Sequence, residues 1–143
     1  MAANGCDAII AQGFEAGGRR GMFLTENRGS QTGTLALVPQ STDAVDLPII
    51  AAGGISDARG IVAAFALGAS AVQIGSAYLF TEEATISPLY RQALADAANG
   101  ETAVCNVISG RPTRVLAKRM ARELGPISQD APLFPMGSLQ QIH

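Results

Sequence analysis

Charge of one sign is what this sequence most lacks: 10 Lys and Arg stand against 12 Asp and Glu, a net charge of −2 over 143 residues. Nucleic acid and anionic membranes draw proteins through an excess of basic side chains, so neither is an expected partner. Cysteine occurs only as Cys6 and Cys105, with no CxxC and no histidine nearby. That pattern speaks against a structural zinc site and a disulfide framework, so no metal is expected and Cys105 should pack as a small apolar residue. The only histidine, His143, ends the chain and is assigned no role. No apolar run approaches the ~20 residues of a membrane span, and the N-terminus lacks the basic-then-apolar order of a signal peptide. These absences lead us to expect a soluble, cytoplasmic protein. The dinucleotide fingerprint GxGxxG is also missing, which weakens a Rossmann-type reading.

What is present is apolar and small. The hydrophobic share is 48% and the mean hydropathy +0.22, with Ala and Gly carrying much of both, which suggests elements buried on two faces. Short apolar runs alternate with segments of helical period. Residues 6–11 (CDAIIA), 48–52 (PIIAA) and 71–74 (AVQI) read as buried strands. Residues 34–45 read as a helix limited by Pro39, and residues 57–67 as a helix capped by Ser56, stopped by Gly68 and turning Ile61, Ala64 and Phe65 inward. Ser87-Pro88 opens a third helix, since serine caps and proline suits the first helical position. Strand and helix alternating in this way mark repeated βαβ units, whose crossovers make the strands parallel and bring their carboxyl ends to one edge.

A glycine follows every one of these strands: QGFEAGGRRG at 12–21, Gly53-Gly54, and Gly75-Ser76. One such loop is ordinary turn chemistry. Three in succession offer backbone N–H groups with no Cβ in the way, and a following helix adds the positive end of its dipole, a combination suited to phosphate. Loops after adjacent strands also hold phosphate in (β/α)8 barrels.

The segments AQGFEAGGRRG, GTLALVPQSTDAV, LPIIAAGGISDARGI, ALGASAVQIGSAYL and NVISGRP, in that order, resemble the nitronate monooxygenases, once called 2-nitropropane dioxygenases. The resemblance runs from about Gly5 to about Pro135. It implies a (β/α)8 TIM-barrel enzyme that uses FMN, needs no metal, and converts an alkyl nitronate and O2 to a carbonyl compound and nitrite. It implies that Gln12, Gly17 and Gly18 face the flavin, that Gly53 and Gly54 give amides to its phosphate, and that Gln73, Ile74, Gly75 and Ser76 form a second clamp. At the position of the family's histidine this chain has Arg19. Imidazole accepts a proton near neutral pH and guanidinium does not, so Arg19 cannot act as that base. A nitronate is already an anion, however, and a fixed cation can bind it and stabilise developing negative charge. Of its neighbours, Arg20 is expected in solvent, Glu15 as a buried acid bonded to loop amides, Tyr78 and Phe80 in the core, and Arg111 and Arg114 as solvated or intersubunit charges.

A complete barrel takes about 250 residues, so the expectation is a partial barrel. Three parallel strands and C-terminal helices fit the second half of the family's fold, with residues 1–98 in the barrel and 99–143 a helical segment of the same domain. Open sheet edges then call for a homo-oligomer or the missing N-terminal half-barrel as partner. Two alternatives remain: an FMN-dependent enoyl-thioester reductase, and a non-catalytic flavin- or phosphate-binding partial barrel.

Overall fold

The computed structural model describes residues 5–25, 27–98 and 100–134. In chain order its elements are β1 (Ile9–Gln12), β2 (Gly18–Arg19), α1 (Thr34–Ala44), β3 (Ile49–Ala52), α2 (Ala58–Ala66), β4 (Ala71–Gln73), α3 (Pro88–Ala95), β5 (Thr102–Cys105), β6 (Thr113–Leu116) and α4 (Arg119–Glu123). His143 lies outside the described residues. The chain divides into two compact units, one running to Ala16 and resuming over Phe23–Thr81, the other made of Gly17–Met22 and the residues from Glu82 onward.

In the first unit the three apolar runs are parallel strands in the order β1-β3-β4, joined by α1 and α2. This is the α/β arrangement expected, a partial barrel. Register sets Ala11, Ala51 and Val72 in one row and Gln12, Ala52 and Gln73 in the next. Because successive strand residues face opposite ways, the first row joins Ile9 and Ile49 on the side that packs against Val38 of α1 and Ala64 of α2. Alanines at the centre of that face let the helices sit close to the sheet. The other face carries Ile10 and Ile50, and Ile10 is 55% exposed.

Helix boundaries follow local chemistry. Asp57, not Ser56, caps α2: its carboxylate accepts from the amides of Arg59 at 2.9 Å and Gly60 at 3.3 Å. A carboxylate one residue nearer the helix reaches the first-turn amides that a serine hydroxyl at 56 does not. Ala64 is buried as expected, but Phe65 stands half-exposed. Gly68, at φ +96°, ends the turn, and a Cβ there would lie 2.9 Å from Thr42 Cγ2. Ser87 caps α3 with Pro88 in its first turn, as its sequence calls for. Tyr78 and Phe80, expected in the core, are instead exposed on a 3-10 turn, Ser76–Phe80, that follows β4 and buries none of its residues.

The second unit is built on an antiparallel sheet of order β2-β6-β5. The segment expected to be helical from 99 onward therefore holds a hairpin-like pair, Thr102 opposite Leu116 and Cys105 opposite Thr113, before the short α4. Thr102, Val104, Thr113 and Val115 supply the β-branched residues that favour this pairing. Cys105 is fully buried with Val107 and Ala121, in the apolar packing role expected of it. Arg20 is only 5% exposed, against the expectation that it faces solvent. Its backbone N–H donates to Pro112 O at 2.9 Å, and continuing from β2 turns the side chain of 20 opposite to that of Arg19.

Candidate functional site

The carboxyl edge of the parallel sheet gathers several of the residues singled out by sequence. Gln12, Ala52 and Gln73 are register partners at the strand ends, and Gly53-Gly54 and Ile74-Gly75-Ser76 continue directly from them. Gly13 N–H closes the row on Ala52 O at 2.9 Å. Among the described residues, the amides of Gly54, Gly75 and Ser76 donate to no protein acceptor. All three residues are exposed.

The glycines at this edge answer to different constraints. Gly53 (φ +108°) and Gly54 (φ +69°) hold left-handed backbone, and a Cβ on Gly53 would lie 2.8 Å from Ala16 N. Their identity is set by the protein's own packing. Gly75 has φ −99° and a Cβ there would meet nothing within 4 Å. Among the described residues no atom requires glycine at 75, whereas a ligand brought against the backbone would. Exposed amides beside that open space fit an anionic group such as a phosphate ester. The N-terminus of α2 does not add to them as expected, because Asp57 already occupies its first-turn amides and binds Arg59 through Nη2 at 2.6 Å. The Asp57 carboxyl is held below its ordinary range by the Arg59 hydrogen bond first and the Gly60 amide next.

Beneath the Gly53 turn lies a partly buried junction that sequence reasoning missed. Thr34 Oγ1 is 2.8 Å from Gly53 O and 2.9 Å from Glu15 Oε2. Glu15 also accepts from Thr34 N at 2.9 Å, thereby capping α1, whose N-cap residue is the side-chain-less Gly33. Glu15 thus bonds to an amide as expected, but as an exposed residue. Gly13 lies so close that a Cβ on it would overlap Thr34. The partners are 18 to 19 residues apart, so no local motif announces them. A cleft of about 190 Å³ opens between Val38 of α1 and Ala63 of α2, with Glu15, Thr34 and Gly54 at its end. That is below the roughly 300 Å³ of small-molecule sites, so it is too small to house a cofactor's body.

Gly17, Gly18 and Arg19 belong to the second unit. Gly18 (φ +79°) pairs with Arg114 and Arg19 with Thr113. The Arg19 guanidinium lies 5.5 Å from the centroid of the Phe134 ring, and that of Arg111 5.1 Å from the same centroid. Arg114 donates to Thr102 Oγ1 at 3.0 Å. Gly110 (φ +78°) allows the 109–112 turn to abut Pro132 and Phe134, since a Cβ there would overlap Pro132 O. Ser109 Oγ and Thr113 Oγ1, 2.8 Å apart, close that turn on Arg111 O.

The model of the family described as nitronate monooxygenase matches residues 1–138. The chain belongs to the nitronate monooxygenase family. A probable nitronate monooxygenase of Staphylococcus saprophyticus is 42% identical over 135 residues, covering 92% of this chain and 38% of its own length. One of Staphylococcus aureus is 43% identical over 133 residues with the same coverage. Among solved structures, nitroalkane oxidase from Streptomyces ansochromogenes superposes with a TM-score of 0.85 at 41% identity, over 95% of this chain and 39% of that one. FabK from Thermotoga maritima gives 0.73 at 39% identity, over 86% and 37%. The chain therefore spans less than half the length of the relatives it matches.

Proposed function

We propose that this chain forms the phosphate-binding part of an FMN-dependent nitronate monooxygenase-like oxidoreductase, working in the cytoplasm, in which an alkyl nitronate and O2 give a carbonyl compound and nitrite. The observation that carries the reading is the set of exposed amides at Gly54, Gly75 and Ser76 on one sheet edge, in a chain of this family. Bound FMN would supply the redox chemistry. Gly53 and Gly54 bind its phosphate from the end of β3, and Gln73 to Ser76 from the end of β4, with the Ser76 hydroxyl as a further donor. Gln12 stands in register with Gln73 on the same edge, where its amide contacts the flavin, and Gly17 and Gly18 give backbone access to it. Arg19 holds the nitronate by charge and takes no proton from it. On this account neutral nitroalkanes, which must first lose a proton, are poor substrates.

The test is nitrite release from the nitronate of 2-nitropropane by the FMN-loaded chain restored to the length of its relatives. Release above the free-FMN background supports the reading, and release no greater than that background removes it. NAD(P)H oxidation dependent on an enoyl thioester would select the reductase alternative instead.

A further inference from the structure

The Gly53-Gly54 turn is flexible by composition, and something must decide which way its central peptide faces. Both residues sit at positive φ, and glycine passes between such conformations at little cost. In a trans peptide the C=O and the following N–H point in opposite directions. Whatever holds Gly53 O therefore aims the Gly54 N–H the other way. Thr34 Oγ1, buried at the start of α1, is 2.8 Å from Gly53 O. The Gly54 N–H, on the far side of the same peptide unit, meets no acceptor among the described residues.

We propose that Thr34 is a positioning residue whose hydroxyl, by holding Gly53 O, keeps the Gly54 N–H turned outward to receive an anionic phosphate. This rests on the flavin reading above. Thr34 has one hydroxyl proton, and Gly53 O and Glu15 Oε2 are both within reach of it. Glu15 already receives the Thr34 N–H at 2.9 Å, so the carboxylate is served when the hydroxyl proton goes to Gly53. Placing the hydroxyl under the turn has a steric condition, met by Gly13, where any Cβ would overlap Thr34. The residue touches no ligand; it acts through one peptide plane.

The experiment compares FMN with riboflavin, which lacks the phosphate, in fluorescence titrations of the purified chain and its variants. The parent chain is expected to prefer FMN. Thr34→Val keeps the shape and loses the hydroxyl, and its preference for FMN over riboflavin should fall about tenfold, in line with one hydrogen bond made to a charged group. Partial unfolding would weaken both ligands alike and leave that ratio untouched. Thr34→Ser should restore the ratio. Glu15→Gln should preserve it even if Thr34→Val does not fold, because the Gln amide N–H2 donates to Oγ1 and leaves the hydroxyl proton to Gly53. A ratio unchanged in Thr34→Val, or lost in Thr34→Ser or Glu15→Gln, would overturn the proposal while sparing the flavin site. A parent chain with no preference for FMN would instead overturn the flavin reading, and this one with it.

Discussion

A β-carbon added at Gly75 meets open space, whereas one added at Gly53 lies 2.8 Å from Ala16 N on a backbone at φ +108°. The two glycines should therefore fail in opposite ways. Gly53→Ala is expected to cost about 2 kcal/mol of stability through left-handed strain and crowding. Gly75→Leu should leave the thermal midpoint where it is and abolish specific FMN binding. Thermal melts beside flavin titrations check both, and a Gly75→Leu chain that binds FMN like the parent would sink the clamp. The cysteines separate as cleanly. Cys6 is exposed and Cys105 buried, with burial holding the Cys105 thiol above its ordinary range. A thiol reagent should label Cys6 alone in the native chain and both residues after denaturation. Since the unfolded thiol ionises first, the contribution of Cys105 is present below the ordinary thiol value of 9.0 and is lost as pH rises through the folded value. At this scale the glycine motifs and the packing role of Cys105 were legible, because each is a property of a residue type in a short pattern. The burial of Arg20 was not, since successive residues of extended chain face opposite sides and nothing in the Arg19-Arg20 pair says which side is inward.

Elements are held at their ends, and those ends mix near and distant chemistry. Ser87 caps α3 from the preceding residue, and the sequence says so. Glu15 caps α1 from 19 residues away, and no periodicity reports it. Replacing Glu15 by Ala removes the carboxylate that accepts the Thr34 amide and should cost about 1 kcal/mol, the usual worth of a cap; a urea midpoint equal to the parent's would mean water replaces it freely. Asp57 does the same for α2 with its pKa lowered by Arg59 and Gly60. Its contribution is full above the ordinary value of 3.8 and fades as pH falls through the lowered folded value. Asp57→Ala should accordingly be less stable than the parent near neutral pH, with the gap closing in acid. Both carboxylate and guanidinium are exposed, so added salt should narrow the gap too. The three parallel strands were legible from compact apolar runs. β5 and β6 were hidden, because residues 99–116 interleave threonine, cysteine and valine with polar residues and a Gly-Arg-Pro turn, a pattern that does not separate an antiparallel pair from loop and helix.

For the molecule as a whole, what matters is how much sheet it leaves open. Parallel strands are ordinarily covered on both faces, yet the face of β1 opposite the helices exposes Ile10, and β1 and β4 are edge strands of their sheet among the described residues. The chain also spans only 38% of the length of its staphylococcal relatives. In a protein of this family the remaining length is the natural source of strands for those edges, and edges left bare invite pairing with further copies. The chain by itself should therefore run in light scattering as assemblies heavier than its 14.7 kDa, and Ile10→Lys should reduce them. Co-expressed with the part of the Staphylococcus saprophyticus protein that lies outside the match, it should instead form a one-to-one complex that binds FMN more tightly than either piece. Nitrite release should appear in that complex and in neither piece alone. A chain that stays monomeric, and gains no FMN affinity from the complementary piece, would show that the open face needs no partner strands and that the incomplete barrel is not what limits its activity.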